Sequence, residues 1–320
     1  MRGTAVFIYS AFNLLCFHQS FAGTVCDRLS SLQFQEEKLY SQNGEDGVLV
    51  TLLDIIKVKY SSYVEFGVED GFECNTRILR EHFGFHGLMM DGGHQNTAIN
   101  LHQEFITVSN VLQLFQKYHV MSNFDVLSID VDMFDYWILA KLLGEGNYRP
   151  RIIIVETNPT LCLNIGKIGP SRMKDYSQIN SSPLTVIHPN MTNQIAWDLS
   201  RYAGANPLSF QLLGKEFGYE TIHCERCGVN CFLVLRTELP MECQKDYPLP
   251  TIPYPCFGTA RTGLAYPGHE IDLLERSAVK VSPQLLQGIK SGNFTVADVE
   301  ASTLSCPLEM DSPSILQRYT

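Results

Sequence analysis

The chain is short of positive charge: 24 Lys and Arg stand against 34 Asp and Glu, a net charge of −10 over 320 residues. A phosphate-backbone partner wants a basic field, so nucleic acid is excluded as an expected ligand. Gly (23) and Pro (15) stay at background levels, and 45% of residues are hydrophobic, which excludes collagen-like, low-complexity and wholly disordered chains. Ten cysteines are too few for a small disulfide scaffold, which needs more than about 8–10%. There is no G-x-G-x-x-G dinucleotide fingerprint, no Gly-Lys-Ser/Thr phosphate loop and no G-x-S-x-G nucleophile elbow. No internal repeat occurs, and no stretch beyond the N-terminus approaches the ~20 apolar residues a bilayer crossing needs.

What is present begins at the N-terminus. Arg2 precedes an apolar run from Ala5 to Phe17, and Ser20-Phe21-Ala22 places small residues where a signal peptidase inspects the chain. This is the layout of a secretory signal peptide over 1–22, so the mature protein is expected to be secreted or lumenal, with no membrane span after cleavage. Sequons at Asn180, Asn190 and Asn293 fit a glycoprotein. Cys16 leaves with the signal, and nine cysteines remain in an oxidising compartment, an odd number that demands a leftover thiol.

From Ser41 the chain alternates helix and strand. Gly44-Glu45-Asp46 opens a helix, with acids at its positive end and apolar residues from Val48 to Ile56 on a broad face. Strands are expected at 62–66, 87–90, 105–108, 124–129 and 152–155, with helices at 75–82, 96–103, 111–118 and 136–143. The continuous run Ile152-Ile153-Ile154-Val155 suits a strand buried on both faces. Repeated βα units imply a parallel sheet with right-handed crossovers. A helix at 208–217 and strands at 220–223 and 230–235 follow. Residues 157–205 read as an irregular loop insertion and 240–320 as aperiodic, apart from a weakly helical 278–289.

The chemistry gathers at the strand ends. Val64-Glu65-Phe66-Gly67-Val68-Glu69-Asp70-Gly71 sets an acid at the end of a strand and two glycines in the turn before a helix. Asp91 ends the next strand, where doubly wound folds place a carboxylate for ribose hydroxyls. Asp130, Asp132 and Asp135 end a further strand, and Glu156 and Asn158 another. Ligands of open α/β sheets sit outside these carboxyl ends.

The segments SQNGEDGVL (41–49), VEFGVEDGFECNTRIL (64–79), GLMMDGG (87–93), FDVLSIDVD (124–132), YRPRIIIVETN (148–158) and GYETIHCERCGVNCFLV (218–234) resemble FkbM-type methyltransferase-like proteins, closest to an uncharacterised animal branch. The resemblance spans about residues 38–236. It implies a doubly wound, mostly parallel seven-stranded sheet of the Rossmann-like class I methyltransferase type, over 38–238, with an irregular, disulfide-tied extension over 239–320. It implies S-adenosylmethionine (SAM) as cofactor, with Glu65, Gly67, Gly71 and Asp91 as binding residues and Gln42 and Asn43 in a loop over the cofactor. It places Asp130 and Asp132 near the methyl-transfer centre as candidate bases, and Asp130, Glu156 and Asn158 where related O-methyltransferases hold Mg²⁺, for which all-oxygen ligands are suited. The expected substrate is a glycan or small-molecule hydroxyl; the oligomeric state stays open.

One departure from the family pattern follows Asp132: Met133-Phe134 stand in place of a small polar turn, and this bulky pair is expected to narrow or reshape the pocket. It motivates an alternative, a non-catalytic secretory-pathway interaction protein on the same fold. The resemblance also makes Cys74, at the start of the cofactor helix, the leftover thiol. Cys224, Cys227 and Cys231 read as disulfide partners in preference to zinc ligands, and bridges are expected to strap the C-terminal tail to the last hairpin.

Overall fold

The computed structural model describes residues 24–159, 184–187, 204–252, 277–292 and 303–304. The signal segment, the three sequons and Cys162, Cys256 and Cys306 lie outside the described residues.

Helices α1 (Val25–Leu29) and α2 (Glu45–Ile56) precede the first strand. Then come β1 (Ser62–Phe66), α3 (Arg77–His82), β2 (His86–Asp91), β3 (Leu101–Gln103), α4 (Val111–Lys117), β4 (Val126–Ile129), α5 (Asp135–Leu143) and β5 (Ile152–Glu156). After these follow β6 (Leu184–Ile187), α6 (Pro207–Glu216), β7 (Tyr219–Cys224), β8 (Asn230–Leu235), β9 (Ser277–Lys280), α7 (Pro283–Ser291) and β10 (Thr303–Leu304). Seven strands form one sheet in the order β3-β2-β1-β4-β5-β8-β7. The first five run parallel, and β8 pairs antiparallel with both β5 and β7.

Both faces of this sheet are buried, as the unbroken apolar runs of its strands require. Val64, Phe66, Leu127, Ile129, Ile153 and Val155 face one core layer, built with α4, α5 and α6. Tyr63, Met89, Val126, Ile152 and Ile154 face the other, built with α1, α2 and α3. The expected doubly wound, mostly parallel α/β sheet is the observed fold.

Local differences have local causes. The expected helix over 96–103 is a short 3₁₀ turn, Thr97–Ile99, followed by β3, and no strand forms over 105–108. The Asn96 side chain accepts from the Ala98 amide, and Asn100 sits in the left-handed region at φ 57°, which turns the chain and drops Leu101 into the core. The weakly helical 278–289 splits into β9 and α7, because Ser282 caps at the Leu285 amide and Pro283 fixes the helix start. The 157–205 insertion is not wholly irregular: it carries β6, which joins β9 and β10 in a three-stranded antiparallel sheet. Nor is the extension merely tied on. Leu286 and Ile289 of α7 enter the core layer of α5 and α6.

Two bridges are described: Cys224–Cys231 closes the β7–β8 hairpin on itself, and Cys26–Cys243 ties α1 to the segment after β8. The expected strapping of the tail to the hairpin falls on residues outside those described. Cys227 is disulfide-bonded too, and Cys74 is a free, buried thiol, as the resemblance implies. Replacing Cys26 and Cys243 together by Ala is expected to cost about 2–4 kcal/mol. Urea unfolding measures it; an unchanged midpoint would contradict a stabilising role for this bridge.

Candidate functional site

Register brings the strand-end residues into one row. Phe66 pairs with Met90 and with Ile129, and Ile129 pairs with Val155. The next residue on each strand is therefore level with its neighbours: Asp91, Gly67, Asp130 and Glu156, in that order across β2, β1, β4 and β5. Glu156 is itself level with Asn230 of β8. This edge lies outside the carboxyl ends of the parallel strands, where open α/β sheets take their ligands.

Gly67 makes the row possible. Its φ is 67°, and a Cβ there would stand 1.5 Å from the Asp130 carbonyl oxygen, so only glycine lets β1 turn against β4. Glu65 is buried, and its carboxylate accepts from the Asn75 amide (2.8 Å), the Thr76 amide (3.2 Å) and the Thr76 hydroxyl. It thus holds the loop that leads into α3, and burial raises its pKa. Gly71 sits at φ 77° with its hydrogen toward Ile99, where a Cβ would meet the side chain at 2.7 Å.

Asp91 is the most heavily bonded member. Its Oδ2 accepts from the Glu69 amide at 2.9 Å. Its Oδ1 accepts from the Gly93 amide (2.7 Å) and the His94 amide (3.0 Å) and lies 2.8 Å from the His94 ring Nδ1. Glu69 and Asp132 are non-glycine residues in the left-handed region, at φ 48° and 67°. Such strain persists where surrounding structure overdetermines it, and it clusters at functional sites. At Asp132 it follows from a tight turn in which the Met133 amide bonds the Val131 carbonyl at 2.9 Å.

Met133 and Phe134 do not narrow the crevice. Both are buried, at 3% and 5% exposure, among the α5-side core residues. The apolar pair after Asp132 is an anchor that turns the chain into α5, and the expectation that it reshapes the pocket is corrected.

Asp130, Asp132 and Glu156 offer carboxylate oxygens that all lie within 4.8 Å of one another. Beside them Asp135 is buried; its Oδ1 accepts from the Val131 amide at 2.8 Å, while its Oδ2 is buried with no hydrogen-bond partner. Asn158 stands two residues beyond Glu156, and its amide bonds the Ala205 carbonyl. The loop ahead of α2 meets the same end of the sheet. The Asn43 amide bonds Glu45 at 2.7 Å, and Glu45 in turn accepts from the Asn230 side chain at 2.8 Å. Gln42 is exposed in this loop and accepts from the Asn43 side chain at 3.4 Å. Glu45, Asn230 and His94 are not singled out by the sequence pattern. The Asp91-Gly-Gly-His94 turn is the one signal that finds His94, since Asp bonds backbone and side chain two and three residues on.

Burial raises Asp130 and Glu156 well above the usual carboxylate range and brings Asp135 up to about 7. The neighbours acting on Asp130 after burial are Asp135, Asp132, Glu65 and Glu45, every one an acid. The row is an acidic bowl that gains by receiving positive charge. The sign for stability follows. A carboxylate with a raised folded pKa holds its proton in the folded state when the unfolded chain has released it, so stability falls as pH rises toward the folded pKa. Between about pH 4 and 7 the ligand-free protein is expected to lose stability through Asp135. Asp135→Asn should flatten that slope in thermal melts; an identical slope in the variant would contradict it.

No family model matches the chain, and no curated protein sequence matches it. Among solved structures, an O-methyltransferase from Bacillus cereus in complex with S-adenosylhomocysteine (SAH) is similar at 12% identity, over 63% of this chain and 96% of that one, with a TM-score of 0.28. A candidate O-methyltransferase from Klebsiella pneumoniae is similar at 13% identity, over 62% and 93%, with a TM-score of 0.27. The strand order and register define the fold directly: a doubly wound, mostly parallel, Rossmann-like α/β sheet. Among the described residues, no helix is long and apolar enough to cross a membrane.

Proposed function

We propose that the protein is a SAM-dependent methyltransferase of the secretory pathway, acting on a hydroxyl of a glycan or small molecule. The acidic row Asp91–Asp130–Glu156, held level by the strand register, carries this reading. An all-carboxylate bowl repels a pyrophosphate and attracts a cation, which favours SAM over dinucleotides and nucleotide sugars in a crevice that all three could share. SAM supplies an electrophilic methyl group, and its positive sulfonium suits this field. The chain then has little chemistry of its own to add beyond holding an acceptor oxygen in line.

Each residue has a place in that task. Asp91 receives the ribose hydroxyls, and Glu65 and Gly67 shape the turn beneath the cofactor. Gln42 and Asn43 cover it from the loop ahead of α2. Asp132, at the exposed rim of the bowl, takes the proton of the acceptor hydroxyl, with Asp130 behind it. Asp130, Asp132 and Glu156 also fit Mg²⁺, with Asn158 adjacent. The donors are all oxygen, they lie within 4.8 Å of one another, and Asp135 leaves an unpartnered buried oxygen beside them. Mg²⁺ there would lower the pKa of a bound hydroxyl. The apolar run at 5–17 and the disulfides support secretion.

The purified mature protein is expected to transfer labelled methyl from SAM to a glycan or small-molecule fraction of secretory-pathway material. Asp132→Asn should lower that transfer by about 100-fold while leaving SAH binding in place. Transfer unaffected by Asp132→Asn and Asp130→Asn would overturn the base assignment. A folded protein that binds SAH yet labels nothing would favour the non-catalytic interaction protein instead.

A further inference from the structure

We infer that His94 is a built-in competitor for the cofactor's ribose: its imidazole occupies the Asp91 carboxylate that the ribose must engage, and binding displaces it. The inference rests on the SAM reading above and concerns how that site is gated. It follows from counting donors. Asp91 Oδ1 already faces the Gly93 amide, the His94 amide and the His94 ring, at 2.7, 3.0 and 2.8 Å. Oδ2 has the Glu69 amide alone. The two backbone amides hold fixed positions on Oδ1 and the half-exposed ring takes the remaining approach, so a ribose hydroxyl reaches Oδ1 only in the ring's place, while Oδ2 keeps an open site beside the Glu69 amide. The backbone donors are fixed by the Asp-Gly-Gly-His turn. The ring is not: the His94 side chain is 50% exposed, whereas Asp91 shows only 13%. The ring is therefore the one donor that a ligand can swing away.

Displacement couples binding to protonation. The groups facing the ring are Asp91, which hydrogen-bonds it, and Asp70 and Glu69 from the β1–α3 loop, all acidic. They favour the charged imidazolium, so the free protein holds the His94 pKa above its ordinary value, with the Asp91 hydrogen bond as the largest cause. A ring swung into solvent returns toward its ordinary pKa. Binding therefore releases a proton, and affinity rises with pH from the ordinary histidine range to above the raised value. No proton leaves at high pH, where the ring is neutral in both states.

SAH is the probe, because it lacks the sulfonium and is indifferent to the charge of the carboxylate bowl. Calorimetric titrations of the full mature chain at pH 6 and pH 8.5, in buffers of different ionisation enthalpy, read both affinity and proton release. His94→Ala is expected to bind SAH about fivefold more tightly than wild type at pH 6, an advantage that shrinks by pH 8.5. Wild type should release a fraction of a proton near pH 7, between the ordinary and the raised value, that the variant does not, and the same titration at pH 7 reads it. The His94 ring, followed by NMR, should titrate above the ordinary range in the free protein and return toward it when SAH saturates the site. His94→Gln, uncharged at both pH values, should abolish the proton release in the same way. Equal or weaker binding by His94→Ala, with SAH bound by both proteins, overturns the competitor role and leaves the SAM reading standing. A folded wild type and variant that both fail to bind SAH overturn the two together.

Discussion

Arg151→Ala is expected to remove about 3–5 kcal/mol of stability, the cost of leaving a buried charge without its partner. Arg151 and Asp125 are buried at 3% and 0% side-chain exposure, with Nη1 2.6 Å from Oδ1. The same guanidinium donates to the Ile56 and Lys57 carbonyls and to Glu238. Asp125 in turn accepts from the amides of Lys59, Tyr60 and Ser61. One ion pair thus fastens the entries of β1, β4 and β5 at the amino edge of the sheet, opposite the acidic bowl. Urea unfolding of the variant should show the loss against a total of about 5–15 kcal/mol. A change below about 1 kcal/mol would mean the pair is solvated and incidental. Joint replacement of Asp125 and Arg151 by apolar residues should cost less than the single change, because no charge is then stranded.

Gly67→Ala should cost about 3 kcal/mol and weaken cofactor binding with it. Two penalties add at this position. The left-handed φ of 67° disfavours any side chain, and the new Cβ would fall 1.5 Å from the Asp130 carbonyl, which is backbone and has no rotamer to yield. Relief requires β1 and β4 to part at their carboxyl ends, which moves Asp130 out of level with Asp91 and Glu156. Thermal melting and SAH titration on the same sample separate the two effects. A variant as stable as wild type would show that the turn accommodates Cβ, and that the row is less tightly set than the register indicates.

Much of this was legible in the sequence, and the reasons differ by element. Long apolar runs such as Ile152–Val155 and the helix start at Gly44 are local signals, and both appear where expected. The strand-end acids were legible because a parallel sheet must deliver all its carboxyl ends to one edge. The segment 96–108 was misread because its outcome depends on one left-handed residue, Asn100, which resets the chain. Met133 and Phe134 were placed on the wrong side because sequence does not say which way a turn rotates; the strained φ of Asp132 sends them inward. The partnership of Glu45 with Asn230 joins residues 185 apart and carries no local pattern at all. The role of β6 and α7 was missed for the same reason: each is short, and packing with distant elements decides its state.

Whether the acidic bowl takes SAM is tested most directly by a calorimetric panel of SAM, SAH, NAD and a nucleotide-sugar on the mature protein. One site, roughly micromolar, is expected for SAM and SAH, with no heat from the pyrophosphate ligands. The preference for SAM over SAH should grow as pH rises through about 7 and Asp135 ionises. Binding of NAD or the nucleotide-sugar with no heat from SAM at millimolar concentration would contradict the SAM reading.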